Sequence, residues 1–165
     1  MNTPQPNYWL WLGLGGLLFL GGNTVINLKD ASENEKKYAP FIAATEVKYG
    51  IPTGVLHKLI KAESAFKTSV INGTQRSRVG ALGIAQFMPA TAIEELGSVQ
   101  AALDPIKAIE GAGRYLKKIY AYVGKDWTKA VAGYNWGMGY AKNRNLATAP
   151  QETKDYVKKI LGVVV

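Results

Sequence analysis

The chain has no charged side chain before Lys29, and this boundary divides it into two parts of different character. Residues 8–28 are uncharged and largely apolar, and they are long enough to span a bilayer as a helix, for which about 20 residues suffice. Tyr8, Trp9 and Trp11 lie where the interfacial aromatic belt of a membrane helix would be. The pattern predicts one hydrophobic N-terminal helix in residues 1–28 that anchors the protein to a membrane.

A cleavable signal peptide is an alternative interpretation of this stretch. Such peptides normally begin with a basic region, and residues 1–7 contain no Lys or Arg. A buried core hairpin is a second alternative. We favour a retained anchor, while the mixed charges that follow it leave its orientation undetermined.

The rest of the chain reads as one basic globular domain. The whole net charge of +8 lies on residues 29–165, and such a domain attracts a polyanion: nucleic acid, an anionic membrane or an acidic cell wall. There is no cysteine and a single histidine, His57, so thiolate and multi-histidine metal sites are excluded. We expect neither a metal nor an organic cofactor.

Gly- and Pro-marked loops separate helical patterns throughout this part. We expect a linker over residues 29–37, with a capping-box pattern at Ser32 and Glu35, and a domain over residues 38–165. Helices are predicted to begin at Pro40, Thr53, Pro89, Asp104 and near residues 126 and 151. No alternating strand pattern occurs, so the predicted fold class is mainly α. A small β-hairpin, if one forms, is expected in residues 68–83.

Glu63 is the acidic residue that the helical pattern singles out. Leu56, Leu59, Ile60 and Glu63 share one apolar helix face, whereas Glu46 is better placed to reach water. A carboxyl turned toward apolar neighbours loses hydration, so its pKa rises, as a general acid requires. A structural glutamate satisfied by hydrogen bonds is the alternative.

Three later segments carry groups that suit a sugar ligand. Residues 80–92 combine glycines with the amide of Gln86, residues 133–137 set aromatic rings around Asn135, and residues 152–157 add an acid and a phenol. Taken singly, each has an ordinary reading as a turn, a core aromatic or a helix cap.

Together and in this order, four blocks resemble the soluble lytic transglycosylase (SLT-type) domain over roughly residues 38–161. The blocks are Glu63-Ser64, Gly83-Ile-Ala-Gln-Phe-Met-Pro89, Tyr134-Asn135-x-Gly137 and Glu152-Thr-x-x-Tyr156-Val157. The resemblance implies a lysozyme-like, mostly helical fold related to goose-type lysozyme. It also implies cleavage of the β-1,4 bond between N-acetylmuramic acid and N-acetylglucosamine of peptidoglycan, which leaves a 1,6-anhydromuramyl end.

The resemblance also assigns roles to residues of this chain. Glu63 would be the catalytic acid and base, and the remaining matched residues would bind and position the glycan strand. These substrate-binding residues are Ser64, Gln86, Met88, Tyr134, Asn135, Glu152 and Tyr156.

The scarcity of acids near Glu63 fits this chemistry. Ordinary glycosidases use two carboxyls, about 5 Å apart in retaining enzymes. No acid lies between Glu63 and Glu94 in the sequence. We expect Glu94 and Glu95 on the solvent side of their helix. Glu152 is then the remaining acid that can approach Glu63 in the folded chain. In the transglycosylase route the substrate's acetamido group supports the anomeric centre and its C6 hydroxyl attacks, so one carboxyl serves both steps.

Three other functions stay open at this stage. A goose-type muramidase would cut the same bond with water, and a non-catalytic protein could bind the wall with the same fold. A membrane-anchored nucleic-acid binder is disfavoured because no recognisable nucleic-acid motif is present. The expected setting is a membrane-anchored protein acting on the periplasmic wall, in a phage particle or a secretion complex; the missing basic N-terminal region favours the virion over the bacterial inner membrane.

Overall fold

The computed structural model describes residues 12–13, 17–20 and 24–165, with side chains from Leu28 onward. Residues 28–165 are mainly helical, as predicted. The α-helices of this part are α1 Glu33–Tyr49, α2 Val55–Ser64, α3 Thr68–Ile71, α4 Pro89–Leu96, α5 Pro105–Tyr122, α6 Trp127–Trp136, α7 Met138–Asn143 and α8 Gln151–Leu161. Short 3-10 turns occupy Gln100–Leu103 and Leu146–Thr148.

Helix α5 is the centre of the packing, because it contacts α1 on one side and α6 on another. Its buried stripe includes Ile109, Leu116 and Ile119, and the carboxylate of Asp104 caps its first turn by accepting from the Ile106 amide at 3.0 Å. Helix α2 packs against α1 and α8, and α8 also contacts α6. This arrangement brings the C-terminal end of α2 close to α8.

The start of α1 differs from the sequence expectation. The hydroxyl of Ser32 accepts from the Glu35 amide at 3.2 Å, and the helix begins at Glu33. The last residues of the predicted linker therefore belong to α1, and Pro40 lies inside the helix instead of opening it. The Ser32 cap and the burial of Tyr38 outweigh the hydrogen bond that Pro40 cannot make.

The described residues of the N-terminal segment are strands, which corrects the prediction of a hydrophobic helix. β1 Leu12–Gly13, β2 Leu17–Leu20 and β3 Thr24–Asn27 pair antiparallel in the order β1-β2-β3. Residues 8–28 include five glycines, each of which disfavours a helix by about 1 kcal/mol, and the run Thr24-Val25-Ile26 favours strand. The other residues of the predicted anchor lie outside those described. None of the described helices is long and apolar enough to cross a membrane.

The hairpin expected in residues 68–83 does not form. This segment contains α3 and a series of turns, and the nearest β-type pairing is a single bridge between Leu82 and Phe87. The loop satisfies its own polar groups locally: the side chain of Asn72 accepts from the Thr74 amide at 3.1 Å, and the Gln75 amide donates to the Ser69 carbonyl at 2.8 Å. Those contacts replace a strand partner.

Two glutamates expected to face solvent are buried. Glu46 is 1% exposed, and its carboxylate accepts from the backbone amides of Gly54 at 2.8 Å and His57 at 3.1 Å, which caps the start of α2. Burial raises the pKa of Glu46 to about 7. Glu95 is also buried and pairs with Lys118 at 2.8 Å and with Arg114 at 3.5 Å. Both were misjudged because their partners lie outside their own helices, at the start of α2 for Glu46 and in α5 for Glu95.

We predict that Gly83→Ala destabilises the domain by about 3 kcal/mol or more. Gly83 has a φ of +76°, and a Cβ there would lie 1.9 Å from the carbonyl oxygen of Ala102. Gly80 has a similar φ of +84° with open space around it, so Gly80→Ala serves as the control and should cost about 1 kcal/mol. Urea unfolding of both variants measures the difference; equal losses would contradict the steric argument.

Candidate active site

Glu63 lies in the last turn of α2, immediately before an unusual turn of the backbone. Ala65 and Phe66 both adopt the left-handed conformation, with φ of 49° and 55°, which is strained for residues other than glycine. The buried hydroxyl of Ser64 donates to the Ile60 carbonyl at 3.0 Å and accepts from the Phe66 amide at 3.2 Å. Ser64 thus fixes the end of α2 that carries Glu63.

The carboxyl of Glu63 is largely removed from water. Burial raises its pKa to about 7, and the nearby charge of Glu152 raises it as well. The Tyr156 hydroxyl, which donates to Glu63 Oε1 at 2.5 Å, acts in the opposite direction, and so does the charge of Lys159. Glu63 therefore titrates near neutral pH, the range in which one carboxyl can both donate and accept a proton.

Two partly buried phenols, Tyr134 and Tyr156, lie beside this carboxyl. Burial, followed by the charge of Glu63, raises the pKa of both Tyr134 and Tyr156 well above the usual range, so both stay protonated donors. Tyr156 donates to Glu63 itself, whereas Tyr134 donates to the Ala85 carbonyl at 3.0 Å. Tyr134 thereby ties α6 to the loop that precedes α4.

That loop brings Gln86 to the pocket of Glu63. Gln86 has a φ of 48°, and its side-chain amide donates to the Gly83 carbonyl at 3.0 Å, which closes the turn. Glu63, Ser64 and Gln86 line one open pocket of about 220 Å³. Its remaining lining residues come from the end of α2 and from residues 67–77, namely Ala62, Ala65, Lys67, Val70, Gln75, Arg76 and Ser77.

Asn135, Glu152 and Met88 are the more exposed members of the predicted set. The Asn135 side-chain oxygen accepts from the Thr153 hydroxyl at 2.7 Å, which joins α6 to α8. Glu152 is exposed in the first turn of α8 and makes no hydrogen bond to Glu63 in the described structure. Met88 is 42% exposed just before α4. None of these three residues forms a hydrogen bond with the carboxyl of Glu63 in the described structure, and of the three only Glu152 acts on the pKa of Glu63 through its charge.

The sequence motifs did not identify two cations, Lys67 and Arg76, which line the pocket of Glu63. Neither belongs to a recognised block, and the only available signal was that the loop of residues 68–83 contains arginines. Among the residues from 24 onward and the two short stretches before them, no group of three or more histidine or acidic side chains is placed to hold a metal ion.

The sequence matches the family model of the Transglycosylase SLT domain over residues 40–157. The chain belongs to this family. The predicted identification as an SLT-type domain is thus confirmed.

The fold of this SLT domain is also found in a solved structure. It is similar to an inactive Glu-to-Gln variant of the lytic transglycosylase Slt from Pseudomonas aeruginosa, with a TM-score of 0.63 and 24% sequence identity. The similarity covers 75% of this chain and 22% of that chain. The present chain therefore spans only a small part of the length of Slt.

We predict that Tyr156→Phe raises the pKa of Glu63 from about 7 by roughly one further unit, because the lost hydroxyl stabilises the ionised carboxylate. Carbon-13 NMR titration of glutamate-labelled protein would measure this value. Tyr122→Phe, at an exposed tyrosine, is the control and should leave the Glu63 titration unchanged. A fall in the pKa of Glu63 in Tyr156→Phe would refute the assigned role of the hydrogen bond.

Proposed function

We propose that the protein is a peptidoglycan lytic transglycosylase that cleaves the β-1,4 bond between N-acetylmuramic acid and N-acetylglucosamine and forms a 1,6-anhydromuramyl end. The observation that carries this proposal is a single carboxyl, Glu63, buried beside Tyr156 with its pKa raised to about 7. Membership of the SLT domain family supports the same substrate.

The proposed reaction uses Glu63 twice. The protonated carboxyl donates its proton to the glycosidic oxygen as the bond to the anomeric carbon breaks, and the substrate's acetamido group supports the positive charge that develops there. The Glu63 carboxylate then removes the proton of the C6 hydroxyl, whose oxygen bonds to the anomeric carbon. Glu63 ends protonated, and no water is consumed.

The surroundings of Glu63 suit both steps. Burial favours the neutral acid before the first proton transfer, and the Tyr156 hydroxyl stabilises the carboxylate after it. Ser64 and the left-handed turn hold the carboxyl at the pocket surface. In the Slt protein of P. aeruginosa, a Glu-to-Gln variant is described as inactive, which is consistent with dependence on one glutamate.

A hydrolytic muramidase is the alternative that one observation favours. The charge of Glu152 acts on Glu63, so a second carboxyl is within electrostatic reach of the first. Glu152 is exposed and forms no hydrogen bond with Glu63 in the described part of the chain, which makes it the weaker candidate for activating a water. The mass of the product separates the two reactions, because an anhydro end is lighter by one water than a reducing end.

We predict that Glu63→Gln lowers the release of anhydromuramyl products from purified peptidoglycan by about a thousandfold, since it removes the only proposed acid and base. Glu33→Gln, at an exposed acid of α1, is the matched control and should keep the wild-type rate. Liquid chromatography with mass spectrometry measures the products. Release of products by Glu63→Gln at the wild-type rate would refute the assignment of Glu63. Reducing ends in the products of the wild-type protein would favour the muramidase.

We further propose that the protein associates with a membrane through residues 8–28 and acts on the periplasmic wall, in a phage particle or a bacterial secretion complex. The absence of charge before Lys29 and the aromatic residues near the start support the association with a membrane. A membrane-spanning helix is not part of the proposal, because the described residues of this segment form strands.

We predict that the full chain floats with lipid vesicles at high salt, where attraction of its +8 charge to lipid headgroups is screened. Replacing Leu18 and Leu20 by Asp should abolish flotation, because two charges would then have to enter the apolar region. Replacing Val163 and Val164, at the C-terminal end, by Asp is the control. Failure of the wild-type chain to float at high salt would refute membrane association through this segment.

A further inference from the structure

Two cations in the pocket of Glu63 have no acidic partner among residues 28–165. Lys67 and Arg76 are exposed residues that line it, and neither takes part in the ion pairs of residues 28–165. Exposed cations are common on a basic domain, and by themselves they carry no meaning. Their position at the same opening as the proposed catalytic carboxyl is what distinguishes these two.

The domain's buried acids are already matched with other groups. Glu35 pairs with Lys61 at 3.0 Å, Glu95 pairs with Lys118 at 2.8 Å, and Glu46 binds backbone amides. None of the ion pairs among residues 28–165 includes Lys67 or Arg76. The positive charge at the pocket remains available to a ligand.

The shift in the pKa of Glu63 is not attributed to this positive charge. The charged groups that shift the pKa of Glu63 are Glu152 and Lys159, and Lys67 and Arg76 are not among them. The charge of Lys67 and Arg76 acts on whatever occupies the rest of the pocket.

The chemistry of the pocket wall suits a carboxylate. The guanidinium of Arg76 offers a planar pair of N–H donors that matches a carboxylate, and the Lys67 ammonium adds a point charge. Gln75, Ser77 and Gln86 line the same pocket and supply neutral hydrogen-bonding groups. A neutral sugar has no anionic group that could pair with Lys67 or Arg76.

We propose that Lys67 and Arg76 bind a carboxylate carried by the muramyl sugar of the strand being cleaved, which makes the enzyme selective for acidic over neutral glycan. This inference rests on the proposed function. The carboxylate has two sources in peptidoglycan: the lactyl group when it is free, and the stem peptide when one is attached. Both present the same chemistry to the pocket.

The test uses four single variants of the full chain in two matched pairs. Arg76→Gln is compared with Arg78→Gln, since Arg78 is an exposed arginine of the same loop that does not line the pocket. Lys67→Gln is compared with Lys58→Gln, at an exposed lysine of α2 outside the pocket. Both variants of a pair lose one positive charge, so their general attraction to the acidic wall falls by the same amount. A difference between them therefore reports the position of the lost charge.

Each protein is assayed for release of anhydromuramyl products from three preparations of one wall. These are native peptidoglycan, peptidoglycan whose carboxylates have been converted to amides, and glycan strands freed of stem peptides. On native wall, Arg76→Gln and Lys67→Gln should each lower kcat/KM by about fivefold relative to their controls, mainly through KM. On the amidated wall the difference should disappear. A difference that persists on stripped strands shows that the pocket also binds the lactyl carboxylate freed by removal of the peptide, and its loss there shows that the pocket binds only the carboxylates of the stem peptide.

Equal effects within each pair on native wall would overturn the inference, and so would a loss that persists on the amidated wall. Either result leaves the proposed function standing as long as the wild-type chain releases anhydro products. If the wild-type chain releases none from any preparation, the proposed function fails, and this inference fails with it. Thermal unfolding of the four variants should match the wild type, because all four side chains are exposed.

Discussion

The hydrogen bond from the Tyr156 hydroxyl to Glu63, made in a place with little water, is the interaction on which the site depends. Burial alone would push the pKa of Glu63 upward and leave an acid that gives up its proton reluctantly. The phenol opposes that effect by stabilising the carboxylate, and the balance places the pKa near 7. The two residues are 93 positions apart in the chain, so the balance exists only when α2 and α8 are packed together.

Helix α2 can hold Glu63 in place because both of its ends are fixed by polar contacts. The buried carboxylate of Glu46 binds the amides at the start of the helix, and the Ser64 hydroxyl braces the left-handed turn at its end. A rigid helix between two anchored ends limits the movement of a side chain in its last turn. The strain at Ala65 and Phe66 is the energetic cost of that geometry.

Several features that depend on neighbours within one helical turn were predicted correctly, although Pro40 does not open α1. Pro89 opens α4, Asp104 caps α5, and the helix near residue 151 begins at Gln151, because capping and proline rules act locally. The N-terminal helix was predicted wrongly for the residues described, since length and apolar character do not separate a helix from short strands in a glycine-rich segment. The burial of Glu46 and Glu95 was missed because their partners come from other helices or from another turn of the chain.

The sequence by itself determined the mainly helical class, the apolar placement of Glu63 and the four blocks that identify the SLT family. These are matters of residue type and spacing, which are properties of the chain alone. Only the tertiary structure decided which phenol meets Glu63, and that Lys67 and Arg76 open onto the same pocket. The reason is physical: a pKa depends on burial and on charges in space, and both arise only when distant segments pack.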